Sequence, residues 1–135
     1  MHVGVGTVEH VPLLGEPAMK FTVEHDDNVV IFTLKEPRLD SSTAPEIKAE
    51  LLILCQPTIS ALVVDLSRVD YADSSGLSAL LLAYRQLRDY KIPIALVGVR
   101  ETVRNLFRIS QMEWLFDFYP TVEAALQELQ AQNSP

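Results

Sequence analysis

Short, nearly continuous apolar runs punctuate the chain, and stretches with a helical period lie between them. This alternation restricts the fold more than any other feature. Val29-Val30-Ile31-Phe32-Thr33-Leu34, Ala61-Leu62-Val63-Val64 and residues 92–97 are rich in β-branched residues and have the apolar character of strands buried on both faces. Between and after them, apolar residues return at i, i+3, i+4 and i+7: Ile47, Leu51 and Leu54; Leu77, Leu80, Leu81, Tyr84 and Leu87; Val103, Leu106 and Phe107. Each set makes one face of an amphipathic helix. Phe21 and Val23 precede a turn at Asp26-Asp27-Asn28, which predicts a hairpin into the first run. Leu115-Phe116-Asp117-Phe118 predicts a short last strand, and Thr121 caps a final helix that turns Val122, Ala125, Leu126 and Leu129 inward.

The predicted order is therefore ββαβαβαβα, about five strands and four helices. Strands separated by helices need crossover connections, so the class is α/β with a mixed, mainly parallel sheet whose first strand is antiparallel. Residues 1–18 hold no lasting period and carry Gly4, Gly6, Pro12, Gly15 and Pro17. They read as a flexible leader, native or added in cloning, with the domain over 19–131 and a polar end, frayed at 132–135.

Composition removes several classes of function. The 11 basic residues against 18 acidic ones leave a net charge of −7, the wrong sign for a surface that must neutralise phosphates, so no direct nucleic-acid contact is expected. No apolar run reaches the roughly 18–20 residues of a spanning helix, and the first residues lack a signal peptide's basic start. With Cys55 the only cysteine, no intrachain disulfide or Cys-x-x-Cys metal pair is available. A cytoplasmic protein without metal or cofactor is the expectation. Arg100, Arg104 and Arg108 form one helical stripe, read as a solvated face. Trp114, Phe116 and Phe118 read as core and edge packing.

Chemistry is expected at the carboxyl ends of the strands, where helix N-termini also gather. There the chain reads Asp65-Leu66-Ser67, then Asp73-Ser74-Ser75-Gly76-Leu77. Asp73 fits an N-cap, and Ser74 and Ser75 fall in the first turn. Gly76 stands where Ala would favour the helix by up to about 1 kcal/mol, so a close approach by another molecule is expected. Upstream, Thr43-Ala44-Pro45-Glu46 fits a capping box. A serine hydrolase is disfavoured: His2 and His10 lie in the leader and His25 beside the hairpin turn, leaving no base for a serine nucleophile. A receiver domain would need an acidic pair and a lysine that are missing, and no Gly-x-x-x-x-Gly-Lys loop exists for an NTPase.

Asp73-Ser74-Ser75-Gly76-Leu77, together with Leu39-Asp40-Ser41-Ser42-Thr43-Ala44-Pro45, resembles the STAS domain of bacterial anti-sigma factor antagonists, over about residues 19–131. The resemblance implies a non-enzymatic binding module, present as a monomer or weak dimer. Unphosphorylated, it binds an anti-sigma factor that is itself a serine kinase, which releases a sigma factor. Ser75 is then the phosphoacceptor, and a serine phosphatase resets the cycle. It implies partner contacts at Asp40, Ser41, Thr43, Asp73, Ser74, Gly76 and Leu77. A second reading within the same fold is a cytoplasmic subunit that regulates a membrane transporter of the ABC lipid-trafficking type, or a stress-signalling scaffold.

Overall fold

The structure, a computed structural model, describes residues 6–8 and 20–133. Among them, eight strands and four α-helices follow one another as β1 (Gly6–Val8), β2 (Phe21–Asp26), β3 (Val29–Leu34), β4 (Arg38–Leu39), α1 (Ala44–Leu54), β5 (Ala61–Asp65), β6 (Tyr71–Ala72), α2 (Ser74–Leu87), β7 (Ile94–Val97), α3 (Glu101–Ile109), β8 (Asp117–Tyr119) and α4 (Val122–Asn133). The main sheet has the order β1-β2-β3-β5-β7-β8. Its first two pairings are antiparallel and the remaining three parallel.

The apolar runs divide between two faces with the strand period of two. Val30, Phe32, Leu34, Leu62, Val64, Ile94 and Leu96 pack with Ile47 and Leu51 of α1, Leu77, Leu80 and Leu87 of α2, and Val103 and Phe107 of α3. Val29, Ile31, Ala61, Val63, Ala95 and Val97 face Ala125 and Leu129 of α4. The central strands are thus covered on both sides, which is why they carry apolar residues without a break. Each fully buried Leu, Ile or Phe contributes about 1.5–3 kcal/mol. Among the described residues, no helix is long and apolar enough to cross a membrane.

Several expectations are corrected. Gly6–Val8 pairs with β2 through Gly6↔His25 and Val8↔Val23, adding a sixth strand within the segment read as a leader; the other residues of 1–18 lie outside the described set. A separate two-stranded parallel ladder, Arg38↔Tyr71 and Leu39↔Ala72, has no counterpart in the predicted order. The last strand is displaced toward Asp117–Tyr119, because Glu113–Leu115 takes a 3-10 turn. α4 runs through Asn133, so the helix continues into the end expected to fray.

The arginine stripe is not simply solvated. Arg100 Nε donates to the Ser67 carbonyl at 3.2 Å, Arg104 pairs with Glu113 at 2.7 Å and lies 3.6 Å over the Phe118 ring, and Arg108 bridges Glu101 and Glu113. The stripe ties α3 to the 3-10 turn and to β8. Phe116 is buried, as expected, but Trp114 is 77% exposed: its turn faces solvent, and Phe107, Phe116 and Phe118 pack edge to face without it.

Candidate functional site

The site forms where the β4–β6 ladder delivers two chain segments to the start of α2. The backbone N–H groups of Asp70 and Tyr71 donate to the Pro37 carbonyl, and that of Asp73 to the Leu39 carbonyl at 3.2 Å. The stretch before α1 and the stretch before α2 are thereby clamped together.

Asp73 is the N-cap of α2, as its sequence position predicts. Its Oδ1 accepts from Ser75 N at 3.0 Å and Gly76 N at 3.2 Å, satisfying two donors that the helix itself leaves open. Ser74 is exposed and Ser75 half-buried. The Ser75 backbone carbonyl accepts from the Ser78 hydroxyl at 2.6 Å, while the Ser75 hydroxyl has no hydrogen-bond partner among the described residues. A hydroxyl that is free, and fixed to a rigid capped turn, is open to a second molecule. Ser41, Ala44, Pro45 and Lys48 line one shallow depression with Ser75.

Gly76 reads differently once the packing is visible. A Cβ there would fall well inside contact distance of the Leu39 carbonyl oxygen, and stand 2.5 Å from the carbonyl carbon and 2.6 Å from Leu39 Cγ. The glycine therefore admits the chain's own β4 backbone. The close approach is intramolecular, not that of another molecule.

Asp40 is buried at 7% exposure. Its Oδ1 accepts from the Ser42 backbone N–H at 2.9 Å and from the Ser42 hydroxyl at 2.6 Å, and its Oδ2 from Arg38 Nε at 2.7 Å. The Ser42 hydroxyl and the Arg38 guanidinium together hold the carboxyl at a pKa of about 2. Arg38 also lies 4.2 Å over the Tyr71 ring, so this charge is matched within the fold.

The capping box does not form. Thr43 is the N-cap of α1 but makes no side-chain cap bond. Its hydroxyl accepts from Asp40 N at 3.1 Å and donates toward the Arg38 carbonyl, while Glu46 pairs with Lys20 at 3.2 Å. Of the residues expected to touch a partner, Ser41 and Ser74 are exposed and Asp73 half-buried. Asp40, Thr43, Gly76 and Leu77 are buried; they shape the surface from beneath, because strand end and helix start pack directly on one another.

Sequence reasoning missed Arg38, Ser42 and Tyr71, which fix Asp40, and Lys48, which shares the depression with Ser75. Ser41, Pro45 and Lys48 follow one another at i, i+4 and i+7, a spacing readable in principle, with Ser41 in the turn ahead of α1. That these residues look onto Ser75 depends on how α1 and α2 dock. His25 is exposed on β2, opposite Val30 and so toward the amino end of the parallel strands. It is remote from the Ser75 turn at the carboxyl end. Asp65 accepts from Ser67 N, a turn cap. Among the described residues, no three His, Cys, Asp or Glu side chains gather as a metal site.

The STAS domain family model matches residues 20–125. Over 107 residues the chain is 33% identical to BtrV of Bordetella bronchiseptica, a candidate anti-sigma factor antagonist; the match covers 79% of this chain and 91% of that one. It is 32% identical over 84 residues to the anti-sigma-B factor antagonist of Listeria monocytogenes, covering 62% and 72% of the two chains. The anti-sigma factor antagonist SpoIIAA in its unphosphorylated form has the same fold, with a TM-score of 0.71 at 22% identity over 82% of this chain and 96% of that one. The chain belongs to the STAS domain family.

Proposed function

We propose that the protein is an anti-sigma factor antagonist: unphosphorylated, it binds an anti-sigma factor with serine kinase activity and so frees a sigma factor, and phosphorylation of Ser75 ends the interaction. The observation that carries this reading is the Ser75 hydroxyl, unpartnered among the described residues on a turn held rigid by Asp73. The names of the relatives at 32–33% identity support it.

The physics of the switch follows from the cap. A phosphate adds about −1.5 to −2 charges. It would project from α2 beside the Asp73 carboxylate, which already takes the Ser75 and Gly76 N–H groups. The fold does not depend on the Ser75 hydroxyl, so it survives the modification. A partner surface matched to a neutral hydroxyl would have to desolvate the new charge next to Asp73. A loss of roughly 3 kcal/mol weakens binding about a hundredfold.

Peptide mass spectrometry of the protein from its own host, wild type against Ser75→Ala, tests the acceptor. A phosphate on Ser75 that disappears in the variant is the expected result. No adduct under any growth condition, together with co-purification of an ABC ATPase, would replace this reading with the transporter-subunit one. Ser75→Asp is expected to fold normally and to lose about two orders of magnitude in partner affinity. Unchanged affinity would refute the electrostatic account.

A further inference from the structure

We infer that Lys48 is the group that receives a phosphate on Ser75, so that the modified serine is drawn onto α1 instead of standing free in solvent. This rests on the reading of Ser75 as phosphoacceptor.

Lys48 lies on the second turn of α1 and lines the same depression as Ser75, with Ser41, Ala44 and Pro45 completing the wall. The rest of that wall is small or apolar and offers the ammonium no competing charge. Lys48 is half-buried, yet its ammonium makes no hydrogen bond or ion pair among the described residues.

The neighbouring charges are already balanced. Asp40 is matched by Arg38, and Glu46 by Lys20. Asp70 opens onto a different groove, with Tyr71, Leu106 and Ile109. What remains around Ser75 is the Asp73 carboxylate on its own helix and the Lys48 ammonium on the facing one. A dianion there is repelled by Asp73 and attracted by Lys48. An ammonium on a flexible four-carbon stem can follow the phosphate without needing a fixed fork geometry.

The two charges act oppositely on the phosphate's second ionisation, which is near pH 6 for an unperturbed phosphoserine. Asp73 favours the monoanion and Lys48 the dianion, by nearby-charge effects. With Lys48 in place, the phosphate carries nearly its full two charges at pH 7.

The test uses the full chain with phosphoserine installed at position 75 during translation, so that no kinase is involved. The phosphorus chemical shift is followed against pH. Lys48→Ala is expected to raise the second pKa by about half a unit or more, the size of one partly solvated charge at close range. Lys48→Arg should keep the wild-type value. Arg88→Ala, about 20 Å away at the far end of α2, should leave it unchanged and controls for net charge. Lys48→Gln removes the charge but keeps a polar side chain of intermediate length and is read alongside, so that the folded variant of the pair decides. A second pKa in Lys48→Ala or Lys48→Gln equal to or below wild type overturns the inference, as does an equal rise in Arg88→Ala. Such a result removes Lys48 from the switch and leaves the Ser75 reading to the host mass spectrometry. Absence of phosphate in the host sinks the Ser75 reading whatever the titration gives.

Discussion

Replacing Gly76 with Ala sets two effects against each other. Ala favours a helix by about 1 kcal/mol over Gly, so a residue in the first turn of α2 would ordinarily gain from the change. Here the new methyl overlaps the Leu39 carbonyl group, with the carbonyl carbon at 2.5 Å and Leu39 Cγ at 2.6 Å. Overpacking of this kind costs about 1–3 kcal/mol. The Leu39 carbonyl also accepts from Asp73 N, a bond worth about 1 kcal/mol that is strained when β4 is pushed away. The balance is a destabilisation of about 1–3 kcal/mol, or a urea midpoint lowered by about 0.5–2 M for a domain of this size. Urea unfolding followed by circular dichroism measures it, with Ser74→Ala as an exposed neighbour expected to stay within about 0.5 kcal/mol of wild type. Because the methyl strikes backbone, adding Leu39→Ala should not restore stability. A midpoint for Gly76→Ala equal to or above wild type, or full rescue by Leu39→Ala, would refute the reasoning.

Further outcomes follow from the same geometry. The folded Asp40 carboxyl titrates near 2, below its ordinary 3.8, so its contribution is present above about pH 4 and lost as the pH falls toward 2. Asp40→Asn should be less stable at pH 7 and show a flatter stability profile between pH 4 and 2 in urea unfolding, and a parallel profile would contradict this. Burial raises the Cys55 thiol to about 11, so a thiol reagent at pH 8 should react slowly with the native protein and rapidly in denaturant; equal rates would place Cys55 outside the core. Trp114 is the only tryptophan and 77% exposed, so acrylamide should quench native fluorescence nearly as well as unfolded, and Trp114→Ala should shift stability by less than about 0.5 kcal/mol.

The elements that hold the core were legible because their chemistry is periodic. Val29 to Leu34 and Ala61 to Val64 announce two-sided burial, and Leu77, Leu80 and Leu87 announce the face of α2. Asp73 was legible because a cap is a local matter, settled within three residues. What escaped depends on contacts between distant segments. The β4–β6 ladder has two residues per strand, too few to show an alternation. Gly76 looked like an opening for a ligand because its true neighbour, Leu39, lies far back in the sequence. Thr43 and Glu46 satisfy the local capping rule, yet the Arg38 carbonyl and Lys20 compete for the same side chains and win. Trp114 misled because large aromatics are usually covered, and only the 3-10 turn beneath it shows that this one is not.

The clamp between the segments at Arg38–Leu39 and Tyr71–Ala72 has a meaning for genetics. Lesions in two well-separated stretches of the gene should give one phenotype, since a shift in either segment is transmitted to the serine turn through shared backbone bonds. A screen for alleles that fold but no longer respond would return two clusters of codons, and a second-site suppressor of one cluster should be found in the other.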